Sequence, residues 1–230
     1  MSRALLITGT DTGVGKTYVT CVLLRVFRQL GLVAQGLKGV ETGCFERDGR
    51  RVGEDGEALT SASGQSHPAS MILLRDPLAP EEAARREGYP LVWENLLTQV
   101  QERLKQPGWT LLEGAGGLLV PWTAQHTAAD LAQKLGLPTL VVTANRLGCL
   151  NHTLLTVEAL LRRDIEVAGV ILNEVSGETP DLARSTNSSV LARHLGDVPL
   201  WEFPHQTDSD VTYLTNVATN LVSHLVKRYT

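Results

Sequence analysis

Residues 9–17 read GTDTGVGKT and form a glycine-rich stretch directly after the apolar run of residues 4–7. The apolar run predicts a buried strand, and the pattern that begins at Lys16 predicts a helix. Glycines between a strand and a helix let the backbone turn tightly, so that successive N–H groups point inward with the positive end of the helix behind them. The stretch therefore predicts a phosphate-binding loop.

Strand-like and helix-like patterns alternate along the rest of the chain. Strands are predicted at residues 4–8, 33–40, 110–112, 139–143, 167–172 and 199–201, and helices at 16–30, 91–105, 128–135, 151–163, 181–195 and 210–227. This alternation predicts an α/β fold of three layers, in which helices flank a mostly parallel sheet. The carboxyl ends of the strands then form the ligand-binding edge.

Two stretches do not fit the alternating pattern. Residues 45–70 are rich in glycine, serine and charge, and we expect a loop leading into a short helix. A second stretch contains Pro77, Pro80 and Pro90, and we expect irregular structure there. Neither is expected to separate domains, so the prediction is one P-loop-like domain over residues 1–230.

Composition argues against several partners. The chain has 230 residues, of which 43% are hydrophobic, and a formal net charge of −4. Its charges are interspersed, and eighteen consecutive apolar residues occur nowhere, so we expect no nucleic acid and no membrane as partner. Cys21, Cys44 and Cys149 are widely spaced without a CxxC pair, which indicates a reducing compartment. With no signal peptide evident, we expect a cytoplasmic protein.

The glycine-rich stretch matches the P-loop pattern G-x-x-x-x-G-K-[ST] incompletely. Gly15, Lys16 and Thr17 fit, but Thr10 occupies the place of the first glycine. In this interpretation Lys16 neutralises the β- and γ-phosphates of a nucleotide and the hydroxyl of Thr17 binds Mg²⁺. The alternative is a structural turn between strand and helix.

Mg²⁺ needs carboxylate ligands in addition to one hydroxyl. Glu113 follows a predicted strand and would reach the same edge of the sheet; the alternative is an acidic turn residue. A second carboxylate could come from Glu54, Asp55 or Glu57, and spacing does not choose among them. Lys38 ends an uncharged run and either extends to water or holds a second anion beside the transferring phosphoryl group.

The segment ANRLGCLNHT at residues 144–153 opens a predicted helix. The free N–H groups of a helix start can bind a carboxylate, whereas Asn151 could equally be an ordinary N-cap. The local sequence leaves both interpretations open.

Five stretches in order, TGTDTGVGKT, GLKGVETG, EGAGGLLVP, RLGCLNH and GVILNEV, together resemble the dethiobiotin synthetase family over nearly the whole chain. The resemblance implies a cyclo-ligase of biotin biosynthesis. Members of this family join CO₂ to 7,8-diaminononanoate with Mg²⁺ and ATP, through a carbamate and a carbamic-phosphoric anhydride, giving dethiobiotin, ADP and phosphate. Threonine at the early loop position is usual in the family, which accounts for Thr10.

The resemblance also implies roles for individual residues. Lys16, Lys38 and Thr12 would be catalytic, and Thr17, Asp55 and Glu113 would bind Mg²⁺. The nucleotide would be bound by Thr10, Asp11, Gly13, Val14, Gly15, Lys16, Thr17, Asn173, Glu202, Phe203 and Pro204. The diamine would be bound by Thr42, Gly116, Leu147, Gly148 and Asn151, of which the last three would come from the other subunit of a homodimer.

The chain departs from the family at two positions. Family members commonly have proline at the position of Gly39 and glycine at that of Trp201.

Two other functions compete with this interpretation. One is an amide-forming ligase fed by a glutaminase domain, for which the chain is too short. The other is a partner-activated ATPase switch of the partitioning type. Such proteins often have a second lysine where this chain has Asp11 and an amphipathic membrane-binding tail, and both features are absent.

Overall fold

A computed structural model describes residues 3–175, 181–205 and 211–230. The strands are β1 (Arg3–Gly9), β2 (Ala34–Glu41), β3 (Phe45–Arg47), β4 (Arg50–Val52), β5 (Ser70–Leu73), β6 (Trp109–Gly117), β7 (Thr139–Ala144), β8 (Val167–Asn173) and β9 (Leu200–Phe203). The helices are α1 (Lys16–Gln29), α2 (Glu54–Ser63), α3 (Pro80–Glu87), α4 (Trp93–Leu104), α5 (Ala128–Leu135), α6 (Cys149–Leu161), α7 (Leu182–His194) and α8 (Val211–Tyr229).

Seven strands form one sheet in the order β5-β2-β6-β1-β7-β8-β9, and every neighbouring pair is parallel. Successive side chains of a strand face opposite sides of the sheet. Accordingly Leu5 and Ile7 of β1 pack in a core with α1, α2 and α8, while Leu6 packs in a second core with helices α3 to α7. The predicted three-layer α/β fold is confirmed.

The predicted strands and helices appear with shifted ends, and one strand is much longer than expected. The strand predicted at residues 110–112 continues through the glycines to Gly117, because β1 still supplies a partner there, with Gly9 opposite Gly117 after a register shift. Glu113 therefore lies inside a strand. The last helix begins at Val211, and the predicted start at Asp210 lies outside the described residues.

The segment from residue 45 to residue 90 is more regular than expected. An antiparallel hairpin, β3–β4, precedes the expected short helix α2. β5 adds an edge strand to the sheet, and α3 occupies the stretch expected to be irregular. Pro80 begins α3 rather than preventing it, because proline at the first helical position loses no hydrogen bond and has a φ angle suited to the helix.

All three cysteines are free and buried, with side chains in or beside the two cores. Burial is the largest cause that raises the pKa values of Cys21 and Cys44 to about 11, and burial also raises the pKa of Cys149. These thiols are therefore protonated and poorly reactive at neutral pH.

Among the described residues, no helix combines the length and the apolar character needed to cross a membrane.

Candidate active site

Three adjacent strands of the parallel sheet bring the candidate site residues to one edge. The glycine-rich loop follows β1, Lys38 lies in β2 and Glu113 lies in β6. β6 pairs with both of the others, and Glu113 is directly opposite Lys38 on one side and Ile7 on the other. Because these strands are parallel and in register, the lysine and the glutamate must lie side by side near the start of α1.

The loop between β1 and α1 has the geometry of an anion-binding turn. Gly15 has a φ angle of 91°, which only glycine adopts without strain, and it directly precedes the first residue of α1. The ammonium group of Lys16 folds back over the loop and donates to the carbonyl of Asp11 (3.0 Å). The hydroxyl of Thr10 contacts that of Thr143 in β7 (3.1 Å), which ties the loop to the sheet.

Lys38 lies between two carboxylates. Its Nζ donates to Glu113 Oε1 (2.7 Å) and also to Asp55, the second residue of α2. The hydroxyl of Thr17 donates to the same oxygen of Glu113 (2.8 Å). Glu113 is completely buried, and its other oxygen, Oε2, has no hydrogen-bond partner among the described residues. Of the acidic residues left open by the sequence, Asp55 is thus the one placed beside Glu113.

The charges of this cluster shift its pKa values in opposite directions. Burial by itself would lower the pKa of Lys38, but the carboxylates of Glu113 and Asp55 raise it above the ordinary lysine value. Burial would raise the pKa of Asp55, yet Lys38 and the hydroxyl of Thr17 bring it below the ordinary value. Burial, reinforced by Lys38 and opposed by Glu113, lowers the pKa of Lys16. At neutral pH Lys38 and Asp55 therefore form a charged pair.

A cavity of about 610 Å³ opens over these groups. Its polar side contains the loop, both lysines and the acidic residues, and its other side is apolar. The predicted site residues that line it are Thr12, Gly13, Gly15, Lys16, Thr17, Lys38, Thr42, Asp55, Glu113 and Gly116. A cavity of this size suits a small-molecule ligand, and its two sides suit a molecule with a charged end and an apolar body.

The remaining predicted nucleotide residues lie behind or beside the loop. Asn173, at the end of β8, donates through Nδ2 to the carbonyl of Val14 (2.9 Å) and keeps a buried Oδ1 without a partner in the described chain. Glu202 is exposed and accepts from Ser188 (2.5 Å). Phe203 is fully buried and its carbonyl accepts the N–H of Glu174 (2.9 Å), and Pro204 follows it as a half-buried residue.

The residues expected to meet the substrate carboxylate do not line the cavity of their own chain. Leu147, Gly148 and Asn151 are exposed around the start of α6. Next to them, Arg146 forms an ion pair with Asp11 of the loop (3.1 Å). The start of α6 is therefore linked to the phosphate loop but faces outward.

The apolar side of the cavity was not expected from the sequence. Pro77, Leu78, Ala79 and Pro80 form this wall together with Val120. Two prolines flanking a pair of small or apolar residues constitute a rigid, hydrophobic segment, and this was the available signal. It was overlooked because prolines were interpreted only as breaks in regular structure.

The parallel sheet, the loop with its lysine and hydroxyl, and the helix behind them define a nucleotide-binding protein of the P-loop NTPase-like class. A family model described as an AAA domain matches residues 3–203. The septum site-determining protein MinD of Pyrococcus horikoshii OT3, solved with Mg-ADP, superposes with a TM-score of 0.59 over 99% of this chain and 97% of its own. With 18% sequence identity, this likeness concerns the fold alone.

Sequence relatives define the class more narrowly. The ATP-dependent dethiobiotin synthetase BioD of Anaeromyxobacter dehalogenans (strain 2CP-C) is 43% identical over 209 residues, which are 90% of this chain and 92% of the relative. The enzyme of the same name from Thermodesulfovibrio yellowstonii is 38% identical over 219 residues, 90% of this chain and 91% of the relative. The chain therefore belongs to the dethiobiotin synthetase family, which confirms the resemblance found in the sequence.

Proposed function

We propose that this protein joins CO₂ to 7,8-diaminononanoate at the expense of ATP, producing dethiobiotin, ADP and phosphate in biotin biosynthesis. Membership of the family supports an ATP-dependent ligase that forms C–N bonds, and favours it over a partitioning-type switch. One observation of the structure carries the proposal: the ammonium groups of Lys16 and Lys38 belong to the same cavity, beside Thr17 and Glu113.

The reaction can be written as an addition followed by two substitutions, in which no protein group becomes covalently attached. An amine of the substrate adds to CO₂ and loses a proton, which gives a carbamate. A carbamate oxygen attacks the γ-phosphorus of ATP, and ADP leaves. The second amine then attacks the carbonyl carbon of this anhydride and loses a proton, which closes the ureido ring as the bond from carbon to the phosphate oxygen breaks and phosphate is released. Such a sequence requires orientation and charge neutralisation more than acid–base chemistry.

The two lysines and Thr12 would provide that orientation and neutralisation. Lys16 lies over the loop at the start of α1, where the β- and γ-phosphates of a nucleotide would bind, and Thr12 lines the cavity at the same place. Lys38 extends from β2 and is held by Glu113 and Asp55, where it would face the carbamate and the γ-phosphate. Fixed positive charge at this point stabilises the negative charge that develops during phosphoryl transfer.

Thr17, Asp55 and Glu113 would hold Mg²⁺. The donor set fits this ion, since it consists of a hydroxyl and two carboxylates, and the buried Oε2 of Glu113 lacks a partner among the described residues. When bound, Mg²⁺ would neutralise charge on the phosphate oxygens.

Asn173 would recognise the base of the nucleotide. Its Nδ2 is fixed by the carbonyl of Val14, which leaves the buried Oδ1 as a free acceptor. An acceptor at this point suits the amino group of adenine. Glu202, Phe203 and Pro204 would border the base. Trp201 does not contribute, since it packs over Gly169 and edge-on against His224.

The diamine would bind across the cavity and a second subunit. Thr42 and Gly116 would meet the amine end, and the apolar wall suits the aliphatic chain. The start of α6 in a homodimer partner would meet the distal carboxylate through the partner's Leu147, the partner's Gly148 and the partner's Asn151. Support comes from three exposed apolar side chains, Leu119 (49% exposed), Leu147 (84%) and Leu155 (55%), of which Leu119 and Leu155 line one groove.

The single domain over residues 1–230 and the cytoplasmic location also belong to the proposal. The single domain is supported by the seven-stranded sheet, because the described helices pack against its two faces in two cores. Three free, buried thiols support a reducing compartment.

The decisive experiment mixes the protein with Mg²⁺, ATP, bicarbonate and 7,8-diaminononanoate and detects dethiobiotin by mass spectrometry. We expect product from the wild type and from Lys105→Ala. This control removes an exposed lysine whose side chain pairs only with Glu102 among the described residues. Lys16→Ala and Lys38→Ala should form none. Normal turnover by either variant, or ATP hydrolysis that ignores the diamine but responds to a protein partner, would contradict the proposal.

A further inference from the structure

Glu41, the last residue of β2, is a buried carboxylate for which the proposed reaction has no role. Its Oε1 accepts a hydrogen bond from the backbone N–H of Asp55 (2.8 Å), and its Oε2 accepts one from the N–H of Gly56 (3.0 Å). The hydroxyl of Ser70 also donates to Oε2. Both oxygens are thus bound to protein donors.

The two N–H groups that Glu41 accepts belong to the first turn of α2. The first N–H groups of a helix have no partner within it and are usually satisfied by the residue at the N-cap. In α2 the N-cap is Gly53, which has no side chain to do so. Glu41 takes over this task from a different element, and its negative charge lies at the positive end of the helix.

The fit between the carboxylate and the helix start is tight. A Cβ atom added to Gly53 would lie between 2.1 and 2.3 Å from the three atoms of the Glu41 carboxylate. Gly53 itself has an extended backbone (φ −116°, ψ 129°) that any residue can adopt. The glycine is therefore needed for space rather than for conformation, and the space is filled by Glu41.

We propose that Glu41 is a positioning residue for the Mg²⁺ ligand Asp55. By binding the N–H of Asp55, it fixes the backbone from which the Asp55 carboxylate reaches Lys38 and Thr17. The inference rests on the proposed role of Asp55 in binding Mg²⁺. Groups that orient a metal ligand without contacting the metal commonly change its affinity by one to two orders of magnitude.

The test measures binding of Mn²⁺, a spectroscopic substitute for Mg²⁺, to the protein with ADP, by following free Mn²⁺ with electron paramagnetic resonance. Glu41→Gln keeps the size of the side chain but replaces one acceptor with a donor, and we expect it to raise the dissociation constant of Mn²⁺ about tenfold. Gly53→Ala retains Glu41 and displaces its carboxylate, and we expect the same effect. If one of the two variants does not fold, Mn²⁺ binding by the other still tests the proposal.

A double-variant cycle separates positioning from a general loss of structure. If Glu41 acts through Asp55, Glu41→Gln should have almost no further effect in a protein that already carries Asp55→Asn. Asp130→Ala is the matched control, because Asp130 binds the N–H of Thr127 at the start of α5, away from the cavity. This control should lower the thermal midpoint without changing Mn²⁺ binding.

The measurements distinguish a failure of the proposed role of Asp55 from a failure of the proposed role of Glu41. Unchanged Mn²⁺ binding in Asp55→Asn itself would contradict the proposed role of Asp55. A clear effect of Asp55→Asn, combined with wild-type binding in Glu41→Gln and Gly53→Ala, would overturn the positioning role. The same conclusion follows if Glu41→Gln weakens binding equally with and without Asp55→Asn.

Discussion

Individual residues of the site are held by opposing charges in a protein interior. The Lys38 side chain is 6% exposed and Glu113 is fully buried, so that each neutralises a charge that water does not reach. Asp55 is 40% exposed and contributes less, since solvent screens it. Stability, and activity in the proposed reaction, would therefore depend on the same lysine.

Lys38→Ala should lower the free energy of unfolding by about 3 kcal/mol, because it leaves the buried carboxylate of Glu113 without its cation. Denaturant unfolding without ligand measures this loss. Mg²⁺ and ADP together should then raise the thermal midpoint of the variant more than that of the wild type, since the ion would replace the missing positive charge. Equal ligand effects in both proteins would contradict this expectation.

Gly39 leaves space for the ring of Trp122. A Cβ atom at this position would lie 3.0 and 3.2 Å from two ring atoms of Trp122, which is fully buried. Gly39→Ala should therefore cost about 1–2 kcal/mol of stability through overpacking. The same packing gives a physical reason why a proline would not fit here.

A double-variant cycle with Trp122→Leu tests this explanation by denaturant unfolding. The cost of Gly39→Ala should shrink in the Trp122→Leu background. Gly114→Ala in β6 is the control for adding a methyl group to a buried strand, because its Cβ would have ordinary contacts of 3.6 and 3.7 Å. A cost for Gly39→Ala that persists without the tryptophan would show that packing against Trp122 is not its cause.

Most of the secondary-structure elements were predictable, including short ones such as α5 and β9, whereas β5 and α3 were not. The strands and helices that form the sheet edge of the site appeared in the sequence, because apolar residues recur along them. α3 lacks large apolar residues, because its buried positions are Pro80, Ala83 and Ala84, and β5 is a four-residue strand at the end of the stretch rich in glycine, serine and charge. Their positions follow from tertiary contacts, such as the pairing of β5 with β2.

The site, like the fold, was predictable from the sequence in part. The loop and its lysine were evident from local sequence, whereas Asp55 could be chosen over Glu54 and Glu57 only through the family resemblance. Spacing in the chain cannot make that choice, because the direction of α2 depends on Glu41, a contact from another strand. The hairpin β3–β4 was missed although Asp-Gly, a strong two-residue turn signal, lies at its tip.

The hairpin should open independently of the sheet. Asp48 (φ 52°) and Gly49 (φ 72°) both have the left-handed conformation of a type I′ turn. Gly49→Val should accelerate amide hydrogen exchange in residues 45–52 and leave exchange in β1 and β6 unchanged, since a branched side chain is strained in this conformation. Asp48→Asn, which tolerates the same conformation, should exchange as the wild type does. Exchange that is accelerated in β1 and β6 as well as in the hairpin would contradict local opening.

At the scale of the whole molecule, the proposed shared site makes activity a property of the dimer. Lys16→Ala and Asn151→Ala should each be inactive or nearly so alone. After subunit exchange in an equal mixture, half of the dimers contain both variants and each has one intact site, so about a quarter of the wild-type activity should return. The assay is dethiobiotin formation.

Mixing Lys16→Ala with Lys38→Ala is the control for this experiment. Both changes affect the same cavity of one chain, so every site in a mixed dimer lacks one lysine, and no activity should return. If the first mixture also stays inactive although mixed dimers are present, the site is not shared between subunits.

The buried cysteines have a practical consequence for studying this protein in solution. Because all three native thiols are shielded and protonated, a cysteine introduced at the exposed Arg50 on the hairpin should be the only one that reacts quickly with a maleimide fluorophore. Intact-mass measurement should show a single adduct. A fluorophore could therefore be attached to the hairpin at one position without prior replacement of any native cysteine.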